Sequence, residues 1–171
     1  MSEAEKLEEE FEDDFDPMLA WCIKWWSKKL RFVVPGEAVG KGRPKFTMQG
    51  GFAKAYTPKK TSDYEKFIKH CYRSKYRNYI SDKAVKVMTF IYVKPAKSLS
   101  KKKRAKLLNN EFLPTKKPDV DNVQKCILDA LNKVAFKDDV QVVDQVTMKR
   151  FGEEDKVIVV IEEIGLTMQS I

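Results

Sequence analysis

Five aspartates, Asp119, Asp121, Asp129, Asp138 and Asp139, fall within the 23 residues KPDVDNVQKCILDALNKVAFKDD that run from Lys117 to Asp139. Carboxylates at this density suit hard divalent cations, which prefer oxygen ligands, keep several waters and leave room for phosphate oxygens in their shell. A cation held in that way neutralises charge on a phosphodiester and lowers the pKa of a water for in-line attack. Lys125, one helical turn after Asp121, would add a fixed positive charge near the phosphate or the leaving oxygen. The chemistry suggested is metal-assisted phosphodiester hydrolysis, with Asp119, Asp121 and Asp139 the best-suited ligands. Asp129 and Asp144 are weaker candidates, expected to be paired or solvated. The plainer alternative is that Asp119 caps a helix while Asp121, Lys125 and Asp129 make surface pairs worth only ~0.3–0.5 kcal/mol.

An element must hold these groups in place, and the same run supplies it. Val123, Ile127, Ala130, Leu131 and Val134 lie at helical spacing on one stripe, with Asp121, Lys125 and Asp129 recurring every four residues on the other side. The apolar stripe anchors the helix and the charged face looks outward. Asp119, just past Pro118, stands where the chain enters the helix, and Asp138 and Asp139 follow a short connection. Upstream, Leu30–Pro35 reads as a strand, and GEAVGKGRPKF as a loop. A hairpin turning at Gly50 and Gly51 returns through Phe52–Tyr56. A helix capped at Thr61 or Ser62, with Glu65 completing a capping box, is expected to run to Tyr79. Ala84–Val93 is a strand with Val85, Val87, Thr89, Ile91 and Val93 on one face. A short basic helix opens at Ser98 or Ser100. Asp139–Arg150 and Lys156–Ile164 are two further strands, turning at Glu153–Asp155. Four to five strands and three main helices give an α+β chain, a mixed sheet flanked by helices.

At 171 residues with 43% apolar content, one domain with a real core is expected. Residues 1–30 read as an N-terminal appendage, first acidic and then Trp-rich, and residues 31–171 as the main domain. The charge is divided between them. Residues 1–16 carry nine acids and one lysine, net −8, while residues 17–171 carry 32 bases and 16 acids, net +16. A polyanionic partner follows, and nucleic acid fits best. Backbone phosphates are expected to meet Lys41, Arg43 and Lys45 on the loop, Lys101, Lys102, Lys103 and Arg104 on the basic helix, and Lys116 and Lys117 beside the carboxylates. The acidic leader could fold back and compete with DNA for that surface. Three unpaired-looking cysteines, Cys22, Cys71 and Cys126, and a single His70 indicate neither a disulfide framework nor a zinc site. No apolar run is long enough to span a bilayer, and a cytoplasmic protein is expected.

The run KPDVDNVQKCILDALN followed by FKDDVQV resembles the signature of the RusA family of Holliday-junction resolvases, endodeoxyribonucleases of phages, prophages and bacteria. VPGEAVGKGRPKF, YTPKKTSDYEKF and KPAKSLSKKKRA are similar to further family features, in the same order, so the resemblance covers roughly Phe32 to Ile164. It implies a homodimer with an α/β protomer that binds branched DNA, cuts four-way junctions symmetrically and uses Mg²⁺, with Mn²⁺ able to substitute. No small-molecule cofactor is implied, and a nucleoid-associated location follows. Matched position by position, the catalytic set is Asp119, Asp121, Lys125 and Asp139, the second member of the Asp138–Asp139 pair. The connection from Leu131 to that pair is slightly short, so which of the two faces the metal is for the fold to decide. Two other readings are a nuclease acting on flaps and a non-catalytic nucleic-acid binder. Intact carboxylates argue against a mere binder, because they repel the phosphates that a binder must attract.

Overall fold

The computed structural model describes residues 29–49 and 52–164. The expected leader helix and the Gly50–Gly51 turn fall outside them. The elements in chain order are β1 (Lys29–Pro35), β2 (Lys45–Gln49), β3 (Phe52–Tyr56), α1 (Lys59–Tyr76), β4 (Ala84–Val93), α2 (Lys101–Leu108), α3 (Val120–Leu131), a 3-10 turn (Asp139–Gln141), β5 (Val142–Phe151) and β6 (Lys156–Ile164). Four strands make a mixed sheet in the order β1-β6-β4-β5, and β2 with β3 makes a separate two-stranded sheet. The architecture is α+β, as the sequence led us to expect.

One face of the four-stranded sheet carries the main core. Leu30, Phe32 and Val34 of β1, Val85, Val87 and Ile91 of β4, and Val157, Val159 and Ile161 of β6 are buried. They pack with Tyr64, Ile68 and Tyr72 of α1 and Val123, Cys126, Ile127, Ala130 and Leu131 of α3. The strand alternation and the helical stripe thus meet on the same side. Phe32 and Tyr72 make an edge-to-face pair with ring centroids 5.5 Å apart. Met88, Phe90, Ile158 and Val160 form a second buried cluster on the opposite face.

The two parallel strands, β4 and β5, are linked by a crossover that contains α2 and α3. This connection is what carries the candidate helix over the sheet. The expected turn at Glu153–Asp155 does join β5 to β6, yet the two strands do not pair, because β4 lies between them. The link closes over the end of β4: the Gly152 amide donates to Val93 O at 3.1 Å, and the Lys94 amide donates to Asp155 Oδ1 at 2.8 Å. A Cβ on Gly152 would lie 3.0 Å from Tyr92 Cβ, a tight contact that only a shift of Tyr92 would relieve.

Several boundaries differ from expectation for local reasons. Helix α1 begins after Pro58, which makes no side-chain cap, and Thr61 lies inside the first turn, where its hydroxyl accepts from the Gly42 amide at 3.1 Å. Recruiting that oxygen to hold the neighbouring loop removes it from capping duty. The helix stops at Tyr76 because Arg77 takes a positive φ of 54°. Helix α3 likewise ends at Leu131, with Lys133 at φ 59°, although Val134 remains buried beyond it. Residues 139–141 turn as a 3-10 helix before β5 starts at Val142. Ser100, rather than Ser98, caps α2 by accepting from the Lys103 amide at 3.4 Å.

Candidate active site

Helix α3 opens at its N-cap Asp119 with extended backbone angles, and Asp121 sits in its first turn. Negative charge near the positive end of the helix dipole is favourable, which offsets part of the cost of crowding acids there. The Asn122 side-chain amide donates to Asp119 Oδ2 at 3.4 Å. Asp119, Asp121 and Lys125 are all exposed. Among the described residues, neither Asp121 nor Lys125 has an ion pair or side-chain hydrogen bond. Both instead line a cleft of about 370 Å³, with Val120, Gln124 and Leu128 of α3 and Gln145 and Thr147 of β5. An acid and a base that could have paired along the helix are left available, the opposite of an ordinary surface pair.

Asp129 and Asp144 are committed elsewhere. Asp129 binds Lys41 Nζ at 2.7 Å, and Asp144 binds Lys86 Nζ at 2.9 Å. The 3-10 turn separates the two members of the adjacent pair. Asp138 is its N-cap: a side-chain oxygen accepts from the Val140 amide at 3.1 Å, while its own amide donates to Gln141 Oε1 at 3.0 Å. The Val140 amide, with the neighbouring Asp139 side chain, holds the Asp138 carboxyl below the usual carboxylate range. Gln141 in turn donates to Ser81 O and Lys83 O, fastening the turn to the start of β4. Asp138 therefore shapes the turn, and Asp139 is the exposed first residue inside it. Among the described residues no group of three or more His, Cys, Asp or Glu side chains converges to hold a metal ion. The carboxylates expected to act as oxygen donors lie on two elements, the start of α3 and the 3-10 turn. They are the donor type a hard cation prefers, and their exposure leaves room for waters and phosphate oxygens.

Sequence reasoning missed how tightly the start of α3 is held. Lys149 of β5 donates to Lys116 O at 2.6 Å and to Pro118 O at 2.9 Å, across the cis Lys117–Pro118 peptide. One ammonium thus fixes two of the three carbonyls that precede Asp119, those of Lys116 and Pro118. The signal is present in the strand alternation, since Gln145, Thr147 and Lys149 sit at successive positions on the face shared with Val87, Thr89 and Ile91. That face of β5 is polar because it meets the helix start. Thr147 donates to Gln124 Oε1 at 2.9 Å, in a pair that ties α3 to β5. Replacing Lys149 by Met should lower cleavage ~100-fold, the cost of shifting reacting groups by about 1 Å. DNA affinity measured without divalent metal should stay within ~2-fold, with Lys149→Arg recovering part of the rate. Equal losses of affinity and rate in Lys149→Met would make it a phosphate contact instead.

The loop before β2 is pressed against the same helix start. The Lys41 amide donates to Asn122 O at 2.7 Å, and a Cβ on Gly40 would come within 2.9 Å of Asn122 Cβ. Lys41 Nζ binds Glu65 and Asp129, both at 2.7 Å, and so links the loop to α1 and α3. Burial works against the ammonium, but its hydrogen bonds to Asp129 and Glu65 prevail and raise its pKa. Of the expected phosphate contacts, Lys41 is therefore partly enclosed in an ion network. Arg104 of α2 is paired with Glu153 at 2.7 Å. Arg43, Lys45, Lys101, Lys102, Lys103, Lys116 and Lys117 are exposed. Burial disfavours the thiolate at both described cysteines, raising the pKa of Cys71 and pushing that of Cys126 up to about 12. No described helix is long and apolar enough to cross a membrane.

Comparison with known proteins gives the chain a family. Residues 35–162 match the family model described as endodeoxyribonuclease RusA. An uncharacterized protein, YqaN of Bacillus subtilis (strain 168), is 35% identical over 138 residues, covering 80% of this chain and 97% of that protein. The matched span runs from the end of β1 to β6 and contains every carboxylate of the candidate site, and the chain belongs to the RusA endodeoxyribonuclease family.

Proposed function

We propose that this protein is a metal-dependent endodeoxyribonuclease that resolves four-way DNA junctions by paired, symmetrical nicks, acting as a homodimer. The observation that carries the reading is the unpaired state of Asp121 and Lys125 beside Asp119, at the start of a rigid helix in a chain of this family. Asp119, Asp121 and Asp139 are assigned as oxygen donors to Mg²⁺, with Mn²⁺ able to substitute. When bound, the ion supplies positive charge against the scissile phosphate and acidifies a water. Lys125 places its ammonium toward the phosphate or the departing oxygen. Lys149 holds the backbone that aims Asp119, and Asp138 holds the turn that presents Asp139. Arg43, Lys45, Lys101, Lys102, Lys103, Lys116 and Lys117 supply the cationic surface for branched DNA, and Lys41 acts by fixing the loop that carries Arg43 and Lys45. Arg104 joins that surface when DNA competes with Glu153 for its guanidinium.

Metal dependence and substrate choice are tested together. After dialysis against EDTA, the protein is offered synthetic four-way junction, flap and linear duplex, with and without added Mg²⁺. Cleavage should require Mg²⁺ and run at least ~100-fold faster on the junction. Equal cleavage of flap and junction would replace junction resolution by general branched-DNA cleavage, and full activity in EDTA would remove the metal from the account.

A further inference from the structure

The β2–β3 ribbon is the part of the described fold with the least cover. Phe46, Met48, Phe52 and Tyr56 are 73%, 72%, 81% and 47% exposed. Two strands alone are marginally stable in water, and large apolar groups left open along a ribbon mark a surface meant for a partner. The register sorts them into two unlike faces. Lys45 lies opposite Tyr56 and Thr47 opposite Lys54, with Phe52 two residues before Lys54 on the same side. Phe46 opposite Ala55 and Met48 opposite Ala53 make the other side. One face thus combines aromatic rings with lysines, while the other, with Phe46, Met48, Ala53 and Ala55, is apolar.

The base of the ribbon is anchored close to the carboxylates. Gly40 and Lys41 rest on Asn122, in the first turn of α3, and Gly42 is held by Thr61 of α1. The first residue of β2, Lys45, lies only four positions after Lys41, a reach of at most about 14 Å. The ribbon is therefore rooted within that distance of the turn that carries Asp121.

We propose that the Lys45, Phe52, Lys54 and Tyr56 face of this ribbon is a stacking platform for unpaired nucleotides at the branch point of the DNA substrate. The inference rests on the reading of the site as a branched-DNA nuclease. Charge complementarity selects the occupant: ammonium groups beside ring faces suit a phosphate backbone whose bases are free to stack, and a base within a continuous duplex offers no free face. A linear duplex should accordingly make little use of this surface.

The test compares wild-type protein with the Phe52→Ala/Tyr56→Ala double variant, on an immobile four-way junction carrying 2-aminopurine at the branch point and on a linear duplex, both without divalent metal. Both side chains are exposed, so the melting temperature should be unchanged. Wild-type protein should change the 2-aminopurine fluorescence. The double variant should lose that change and bind the junction ~10–100-fold more weakly, about tenfold per ring, with duplex affinity within ~2-fold. A Lys45→Gln/Lys54→Gln variant should reduce the salt dependence of junction binding by about two units of slope. A double variant that keeps both the fluorescence change and the junction affinity overturns the inference. So does one whose only defect is loss of self-association, which would make the ribbon a contact between copies of the chain. Wild-type protein that binds duplex and junction alike would instead overturn the reading of the site itself.

Discussion

Asp121→Asn should abolish cleavage, by at least ~10³-fold, while junction affinity stays equal to that of the wild type or rises. The amide has nearly the same size as the carboxylate and is exposed in the first turn of α3, so packing is kept and the helix loses only a favourable dipole contact worth ~0.3–1 kcal/mol. The charge alone is lost. A neutral amide oxygen is a much poorer donor to a hard cation than a carboxylate oxygen, and the positive charge opposed to the phosphate falls with it. Affinity moves the other way because, without metal, a carboxylate beside the cleft repels DNA. The check is single-turnover cleavage of a four-way junction at saturating protein, with affinity measured in parallel. Opposite signs for the two effects are the diagnostic: a fold defect lowers both, and loss of a phosphate contact lowers affinity first. Undiminished cleavage by Asp121→Asn would remove this residue from the catalytic set.

The second large effect belongs to the opposite side of the same helix. Ile127 is fully buried between α1 and the sheet, and truncation to Ala should cost ~2–5 kcal/mol. At roughly 3 °C per kcal/mol for a domain of this size, the melting temperature should fall by on the order of 10 °C. Val120→Ala, on the same helix but 39% exposed, should stay within ~0.5 kcal/mol of wild type. Thermal unfolding followed by circular dichroism measures both. Below its melting temperature, the Ile127→Ala protein should retain most of its cleavage rate, because the cavity lies on the face away from Asp121 and Lys125. A small stability loss in Ile127→Ala would mean that α3 is not anchored by its apolar stripe.

These two substitutions mark what could be read from the residues. The stripe of Val123, Ile127, Ala130 and Leu131 is buried as its spacing implies, and so is the alternation of β4, because each is a local periodicity enforced by one dominant energy, burial of apolar area. Asp129 and Asp144, expected to be paired or solvated, are paired, with Lys41 and Lys86 as the partners. What was hidden depends on contacts between distant parts of the chain. Lys41 reads in isolation as a loop cation facing phosphate, and only the approach of α1 and α3 gives it Glu65 and Asp129. Lys149 looks like one more base in a basic chain until β5 brings it to Lys116 and Pro118. Thr61 or Ser62 was expected to cap α1 because Ser/Thr shortly before Glu65 resembles a local capping motif, whereas the helix already starts after Pro58 and Gly42, 19 residues away, claims the Thr61 oxygen. The placement of β4 between β5 and β6 was hidden for the same reason, since sheet order is set by which strands find partners and not by proximity in sequence.

If carboxylates on α3 and the 3-10 turn serve a nuclease built for four-way junctions, the position of the nicks reveals it. Purified protein is incubated with Mg²⁺ and a four-way junction labelled in turn on each strand, and the products are mapped at nucleotide resolution. Two nicks at symmetrical positions, in opposing strands of like polarity, with products that DNA ligase can reseal, are predicted. Unpaired nicks scattered over the arms, or cleavage of linear duplex at the same rate, would contradict it.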